Sequence, residues 1–95
     1  MINEATIEKR LVKRAKENDF LVRKVCFINR RGCPDRLIIT PNGTLFWVEL
    51  KTSRGRLSHA QKHEISLLRK YHQRIEVLSS VEEVDAFLDL LARLY

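Results

Sequence analysis

Residues 34–51 read PDRLIITPNGTLFWVELK, and this stretch decides the fold. Apolar residues on both sides of the central PNG predict two short β-strands. Asn42 and Gly43 accept the positive φ angles that a tight hairpin turn requires. The first strand opens after Pro34, which has no N–H to donate to a ladder, and Gly32 tolerates the left-handed backbone of a preceding turn. The stretch therefore predicts an antiparallel hairpin.

The length of the hairpin loop sets which residues face each other across the two strands. A three-residue loop at 41–43 places Asp35 opposite Glu49, whereas a two-residue turn places Asp35 opposite Leu50. Neighbouring and diagonal side chains on paired strands lie within a few ångströms of each other. Either register therefore brings Asp35 beside Glu49, within reach of one ion.

The end of the second strand carries charge where an apolar pattern would otherwise continue. Glu49 and Lys51 project from the same face, because side chains alternate along a strand. Two carboxylates and a nearby main-chain carbonyl, that of Leu50, suit Mg²⁺ or Mn²⁺. Lys51 could orient a water or stabilise charge on a phosphate. The alternative is an exposed Glu-Lys strand with a cross-strand Asp35.

These residues carry a family resemblance that extends from about Glu4 to Phe87. Pro-Asp followed by Glu-Leu-Lys resembles the PD-(D/E)xK nuclease superfamily. The fuller pattern is similar to the VRR-NUC (virus-type replication-repair nuclease) branch, including its small stand-alone members. That pattern consists of Gly32-x-Pro34-Asp35, Glu49-Leu50-Lys51 and Leu57-Ser58-x-x-Gln61.

The resemblance implies a metal-dependent nuclease that cuts DNA phosphodiesters, often at branched structures. It implies that Asp35 and Glu49 are metal ligands, that Lys51 is the catalytic lysine and that Gln61 is a polar residue of the active site. It also implies an α/β fold with the restriction-endonuclease-like αβββαβα core, a mixed sheet flanked by helices.

The rest of the sequence predicts the same order of elements within one domain, residues 1–95. No repeat, low-complexity tract or linker interrupts the chain. Beside the hairpin, the predicted elements are a helix at 3–18, a strand at 20–27, a helix at 58–72, a strand at 74–78 and a helix from 81.

Composition indicates a small globular protein with a polyanionic partner. A net charge of +6 and a pI near 9.8 favour DNA, although charge alone does not separate nucleic acid from an acidic membrane. No apolar stretch reaches membrane-spanning length, and the N-terminus lacks a signal-peptide pattern, so we expect a cytoplasmic location. Cys26 and Cys33 are then expected to be free thiols. We also expect a homodimer, because 95 residues form only a small core and a dimer interface would bury further surface.

Arginines cluster in the turns beside the predicted site. Those expected to bind phosphates that flank the scissile bond are Arg30, Arg31, Arg36, Arg54 and Arg56. The basic residues of the first helix are more simply a solvated face.

The first helix supplies a further carboxylate. Glu8 falls within the apolar stripe that contains Ile7 and Leu11, and a charged residue at such a position requires an explanation. We predict that the Glu8 carboxylate supports the metal. Its alternative is a salt-bridged surface glutamate. Glu4 is also near the stripe, but it lies in the first turn after Asn3, where attraction to the helix dipole explains it.

Gln61 has two interpretations. Ser58-His59-Ala60-Gln61 fits a capping box, in which Gln61 accepts a hydrogen bond from the N-cap amide. The family resemblance favours participation in the site, and the two roles are compatible.

The sequence thus predicts a structure-selective endonuclease that resembles Holliday-junction resolvases and acts as a homodimer, with no small-molecule cofactor beyond the metal. The alternatives are a restriction-type or nonspecific DNase and a noncatalytic DNA-binding module on a nuclease scaffold.

Overall fold

The hairpin predicted from PNG forms, with the three-residue loop. In a computed structural model, which describes residues 3–52 and 54–95, the N–H of Thr40 donates to the carbonyl of Thr44 at 2.9 Å. The N–H of Gly43 donates to the carbonyl of Thr40 at 2.9 Å, and Gly43 has a φ of +88°. This register pairs Arg36 with Val48, and its continuation places Asp35 opposite Glu49.

The order of elements is αβββαβα, as predicted. The elements are α1 (Glu4–Glu17), β1 (Leu21–Lys24), β2 (Arg36–Ile39), β3 (Leu45–Leu50), α2 (His59–Lys70), β4 (Arg74–Leu78) and α3 (Val81–Leu94). Strand β1 ends at Lys24 and is shorter than predicted, although the N–H of Val25 still donates to the carbonyl of Asp35. Phe27 then packs edge-on against Trp47, with ring centroids 6.1 Å apart.

The four strands form one mixed sheet in the order β1-β2-β3-β4. The first three strands are antiparallel, and β4 runs parallel to β3. Two parallel strands need a crossover connection, and α2 provides it. The chain therefore passes from the end of β3, directly after Glu49, into the helix that carries Gln61.

Helices α1 and α3 cover one face of the sheet. Ile7, Leu11 and Ala15 of α1 join a core that includes Val48 and Leu88. Val12, the residue after Leu11, is exposed. The other face of β3 carries Trp47 and Glu49, because side chains alternate along a strand.

Charged residues hold α1 against α3. Arg10 donates from Nε and Nη2 to the two carboxylate oxygens of Asp85, at 2.8 and 2.9 Å. Arg14 donates to Asp85 at 2.8 Å and to Asp89. Part of the basic face of α1 is thus occupied within the protein, and the helix is fixed relative to the sheet.

Two further predictions concern thiols and membranes. Cys26 and Cys33 are free cysteines. Among the described residues, no helix combines the length and the apolar character that crossing a membrane requires.

Candidate active site

Two carboxylates meet where β2 begins and β3 ends. Glu49 is 3% exposed, whereas the side chain of Asp35 is 29% exposed. The main chain of Asp35 is held in place because its carbonyl accepts from the N–H of Val25 at 3.0 Å. The hairpin register therefore presents one buried and one half-buried carboxylate to the same space.

The electrostatics of this pair are unfavourable without a counter-charge. Burial, reinforced by the neighbouring charge of Asp35, raises the pKa of the Glu49 carboxyl from 4.5 to about 7. The Lys51 ammonium opposes that rise only in part. Burial also raises the pKa of Asp35, against the opposing effect of the Arg36 guanidinium.

One carboxylate oxygen of Asp35 has no hydrogen-bond partner among the described residues. Within residues 3–52 and 54–95, Oδ1 of Asp35 is buried and accepts no hydrogen bond. The nearest guanidinium nitrogen of Arg36 is 3.9 Å away, beyond hydrogen-bond distance. A buried acceptor without a donor costs on the order of 1–3 kcal/mol, which a bound cation would offset.

Lys51 and Gln61 converge on the same oxygen of Glu49. Nζ of Lys51, on a side chain that is 24% exposed, lies 3.9 Å from Oε2 of Glu49. Nε2 of Gln61 donates to that oxygen at 3.2 Å. The site thus contains a partly accessible ammonium beside the carboxylate pair.

Gln61 also closes the capping box of α2. Its Oε1 accepts from the N–H of Ser58 at 2.8 Å, while its own N–H donates to Oγ of Ser58 at 3.1 Å. The two ends of one amide therefore perform both predicted roles. The cap orients the Gln61 side chain, and this orientation directs Nε2 towards Glu49.

Gly32 brings the loop before Asp35 into contact with the first turn of α2. It has a φ of +89°, and a Cβ at this position would lie 2.3 Å from the carbonyl oxygen of Ala60 and 3.2 Å from the nitrogen of Gln61. Only glycine permits this approach. The loop that carries Asp35 and the helix that carries Gln61 are therefore fixed relative to each other.

Arg36 requires a correction to the predicted set of phosphate-binding arginines. Its side chain is buried; Nη1 donates to the main-chain carbonyl of Asp35 at 2.9 Å, and Nη2 donates to Glu8. Buried arginines need such partners, and this pairing explains the glutamate in the apolar stripe. Arg36 is thus positioned to fix the backbone beside Asp35, and it is not presented to a phosphate.

The charge of Glu4, in the first turn of α1, acts on the carboxylate pair more weakly than burial does. This charge contributes to the raised pKa of both Asp35 and Glu49. Glu8, the residue predicted to support the metal, is engaged by Arg36 and lies one helical turn further along α1. The two candidate acids of the first helix therefore have different surroundings.

The remaining predicted arginines lie in the loop before β2 and in the loop after β3. Arg31, Arg54 and Arg56 are exposed. Arg30 pairs with Glu64 of α2, a buried carboxylate that sequence reasoning missed. Its position three residues after Gln61, on the same side of α2, is the signal that could have identified it.

The donor set fits a hard cation with a small number of protein ligands. In the described parts of the chain, no three His, Cys, Asp or Glu side chains are grouped to hold a metal ion. Asp35 and Glu49 would therefore be completed by a main-chain oxygen, for which Leu50 is the candidate, and by waters. Mg²⁺ characteristically binds through one or two carboxylates and keeps several waters.

Comparisons with known proteins identify the family of the chain. No family model matches the chain. A curated relative, "Putative nuclease p44" of Acyrthosiphon pisum secondary endosymbiont phage 1, is 34% identical over 80 residues, which cover 84% of this chain and 86% of the relative. A solved structure described as "VRR_NUC domain" superimposes with a TM-score of 0.85 at 30% identity, over 90% of this chain and 94% of its own. The chain belongs to the VRR-NUC family.

Proposed function

We propose that this protein is a metal-dependent DNA endonuclease. The observation that carries the proposal is the pair of Asp35 and Glu49, one with an unpartnered buried oxygen and the other with a pKa near 7. Among the described residues, the only cations near the pair are the Lys51 ammonium, 3.9 Å from Glu49, and the Arg36 guanidinium, 3.9 Å from Asp35, and neither is within hydrogen-bond distance. The name of the phage relative and the membership of the VRR-NUC family support a nuclease.

Asp35, Glu49 and the main-chain carbonyl of Leu50 would hold Mg²⁺ or Mn²⁺. Such an ion supplies positive charge for a phosphoryl oxygen and lowers the pKa of bound water. We assign the supporting carboxylate of α1 to Glu4, because its charge reaches both ligands. Glu8 then acts indirectly, through the buried guanidinium of Arg36.

Lys51 and Gln61 act on the reactants. The Lys51 ammonium is a compact point charge, suited to orienting the attacking water or stabilising negative charge on the phosphate. Gln61, held by its cap, keeps the Glu49 carboxylate in a fixed orientation. Pre-organised groups of this kind need little rearrangement during the reaction.

DNA is the substrate that the charge distribution favours. The net charge of +6 attracts a polyanion, and Arg31, Arg54 and Arg56 are exposed in the loops that border the site. These arginines would contact phosphates on either side of the scissile bond. Contacts of this type position the strand without reading its sequence.

A homodimer that cuts branched DNA is the finer form of the proposal. Two simultaneous cuts on opposed strands call for two sites, and a second copy of this domain would supply the second pair of carboxylates. A restriction-type or nonspecific DNase would use the same site. A noncatalytic DNA-binding module is the alternative from another class; the complete set of Asp35, Glu49 and Lys51 argues against it.

Cleavage of defined DNA structures tests activity and selectivity together. Labelled four-way junctions, flaps, splayed arms, plain duplex and single strands are incubated with the protein and Mg²⁺ or Mn²⁺. We expect paired symmetric incisions in junctions. We also expect Lys51→Ala to cut about 10²–10³-fold more slowly, because a charge near the phosphate is lost. Lys62→Ala, an exposed lysine of α2, is the matched control.

Two outcomes of this assay would contradict the proposal. Degradation of plain duplex at the same rate as junctions would show a nonspecific DNase and not a resolvase-like enzyme. Cutting by Lys51→Ala at the rate of Lys62→Ala would remove Lys51 from the mechanism.

Calorimetry with Mn²⁺ tests the metal site without DNA. We expect the wild-type protein to bind Mn²⁺. We expect Asp35→Ala to lose more Mn²⁺ affinity than the roughly 10–100-fold that follows when a group hydrogen-bonded to a metal ligand is removed. Glu76→Ala, an exposed carboxylate on the opposite face of the sheet, should bind as the wild type does. Absence of binding by the wild type, or unchanged binding in Asp35→Ala, would favour the noncatalytic module.

A further inference from the structure

Glu64 is a buried carboxylate that the proposed mechanism does not use. It lies on α2, and its side chain is 7% exposed. Arg30, 49% exposed, donates to Oε1 of Glu64 from Nε at 3.0 Å and from Nη2 at 2.7 Å. A buried ionised carboxylate is costly unless it is paired, so the two residues form one unit.

This pair lies beside the catalytic centre, since one side of α2 contacts the site repeatedly. The carbonyl of Ala60 meets Gly32, Nε2 of Gln61 reaches Glu49, and Glu64 follows three residues later. Three residues of α-helix correspond to a rise of about 4.5 Å. The guanidinium of Arg30 is therefore held on Glu64, about one turn of α2 from the contact between Gln61 and Glu49.

The geometry of the pair leaves part of the guanidinium open. A guanidinium is planar and has five N–H donors, so fixing two of them on Glu64 also fixes the direction of the others. Within the described residues, Nη1 of Arg30 donates no hydrogen bond. The half-exposed side chain thus presents its remaining donors in a set direction.

We infer that Glu64 is a positioning residue, which orients Arg30 to bind the DNA phosphate next to the scissile bond. The inference rests on the proposed nuclease function, and it assigns different roles to two of the arginines. Arg36 fixes the backbone at Asp35, while Arg30 contacts the substrate. Planar donors suit a phosphate, which accepts two parallel hydrogen bonds from one arginine.

The salt dependence of DNA binding tests the phosphate contact without cleavage. Binding to a labelled junction is measured in EDTA at several salt concentrations, for the wild type and for Arg30→Ala combined with Glu64→Gln. The double variant avoids leaving an unpaired buried charge. We expect the slope of log K against log salt to become shallower by about 0.9, the value of one phosphate contact.

Arg69→Ala is the matched control, because Arg69 is exposed on another side of α2. Its slope should equal that of the wild type. An unchanged slope in the double variant, or an equal change in Arg69→Ala, would overturn the phosphate contact. This result stands whether or not the wild type cuts DNA, so it is separable from a failure of the nuclease proposal.

Cleavage kinetics test the positioning role of Glu64. Glu64→Gln keeps the charge of Arg30, so we expect the salt slope to be retained. We expect kcat to fall about tenfold with KM unchanged, because a misdirected contact affects the transition state. In an Arg30→Ala background, Glu64→Gln should have no further effect on kcat. An equal loss in both backgrounds would show that Glu64 is only structural.

Discussion

Replacement of Glu49 by glutamine is expected to abolish cleavage and, in the metal-free protein at pH 8, to raise the midpoint of thermal unfolding. The expectation follows from the pKa of Glu49, which burial and the charge of Asp35 raise from 4.5 to about 7. At pH 8 Glu49 is mostly ionised in the folded protein, and this buried negative charge destabilises the fold. Glutamine removes that charge and retains an oxygen that can accept from Gln61.

The sign of the pH dependence follows from proton linkage. Between pH 4.5 and 7 the folded state keeps a proton on Glu49 that the unfolded chain has released. Stability from this group is therefore complete below pH 4.5 and is lost as the pH rises through 7. A shift of this size corresponds to about 3 kcal/mol at most, which is roughly 12–24 °C for a domain of this size.

Thermal unfolding at two pH values separates this effect from ordinary repacking. Glu49→Gln should be stabilised at pH 8 and nearly unchanged at pH 4.5, where most of the wild-type Glu49 is protonated in the folded state. Glu76→Gln, an exposed carboxylate on β4, should show neither effect. Destabilisation at pH 8, or the same shift at both pH values, would contradict the assignment of a strained carboxylate.

Addition of Mn²⁺ should reverse the order of stability. A ligand that binds only the folded state stabilises it by RT ln(1 + [L]/Kd). The wild type should therefore gain stability at pH 8 and Glu49→Gln should not. The same carboxylate that destabilises the metal-free fold would then be the group that binds the cation, as is common at functional sites.

The hairpin was predictable because its determinants are local. Turn residues at Asn42 and Gly43 and the alternation along two short strands are enough to bring Asp35 beside Glu49, whereas the choice between the two registers depends on the loop that the structure shows. The capping box at Ser58 and Gln61 is similarly contained in four residues. These local rules account for the αβββαβα order and for the centre of the candidate site.

The outer part of the site was less predictable, because it depends on how the helices lie against the sheet. A helical wheel correctly places Glu8 near the buried side of α1, but it does not reveal that Arg36 is the partner there. The pair of Arg30 and Glu64 joins residues 34 positions apart and has no local pattern. Tertiary packing decides which acidic residue forms an ion pair with each of these arginines.

Replacement of Gly32 by alanine is expected to destabilise the protein and to abolish cleavage, although Gly32 bears no functional group. An added Cβ would lie 2.3 Å from the carbonyl oxygen of Ala60, a backbone atom that cannot rotate away. The loop and the first turn of α2 would have to separate. Because Gln61 lies in that turn and Asp35 ends that loop, their alignment on the site would be lost.

Gly43 provides the matched control, because it separates the clash from the backbone conformation. Its φ of +88° equals that of Gly32 within a degree, yet a Cβ there would have no neighbour within 4 Å. Gly43→Ala should cost only the left-handed backbone penalty of about 1–2 kcal/mol and retain cleavage. Gly32→Ala should cost roughly 1–3 kcal/mol more, the price of overpacking.

Urea unfolding and junction cleavage measure the two effects in parallel. The difference in unfolding free energy between the two variants reports mainly on the clash, since both positions have nearly the same positive φ. If Gly32→Ala and Gly43→Ala were equally stable and equally active, contact between the loop and α2 would not position the site. If Gly32→Ala alone loses cleavage, the alignment of Asp35 and Gln61 depends on the close approach at Gly32, and a single methyl group is sufficient to disrupt it.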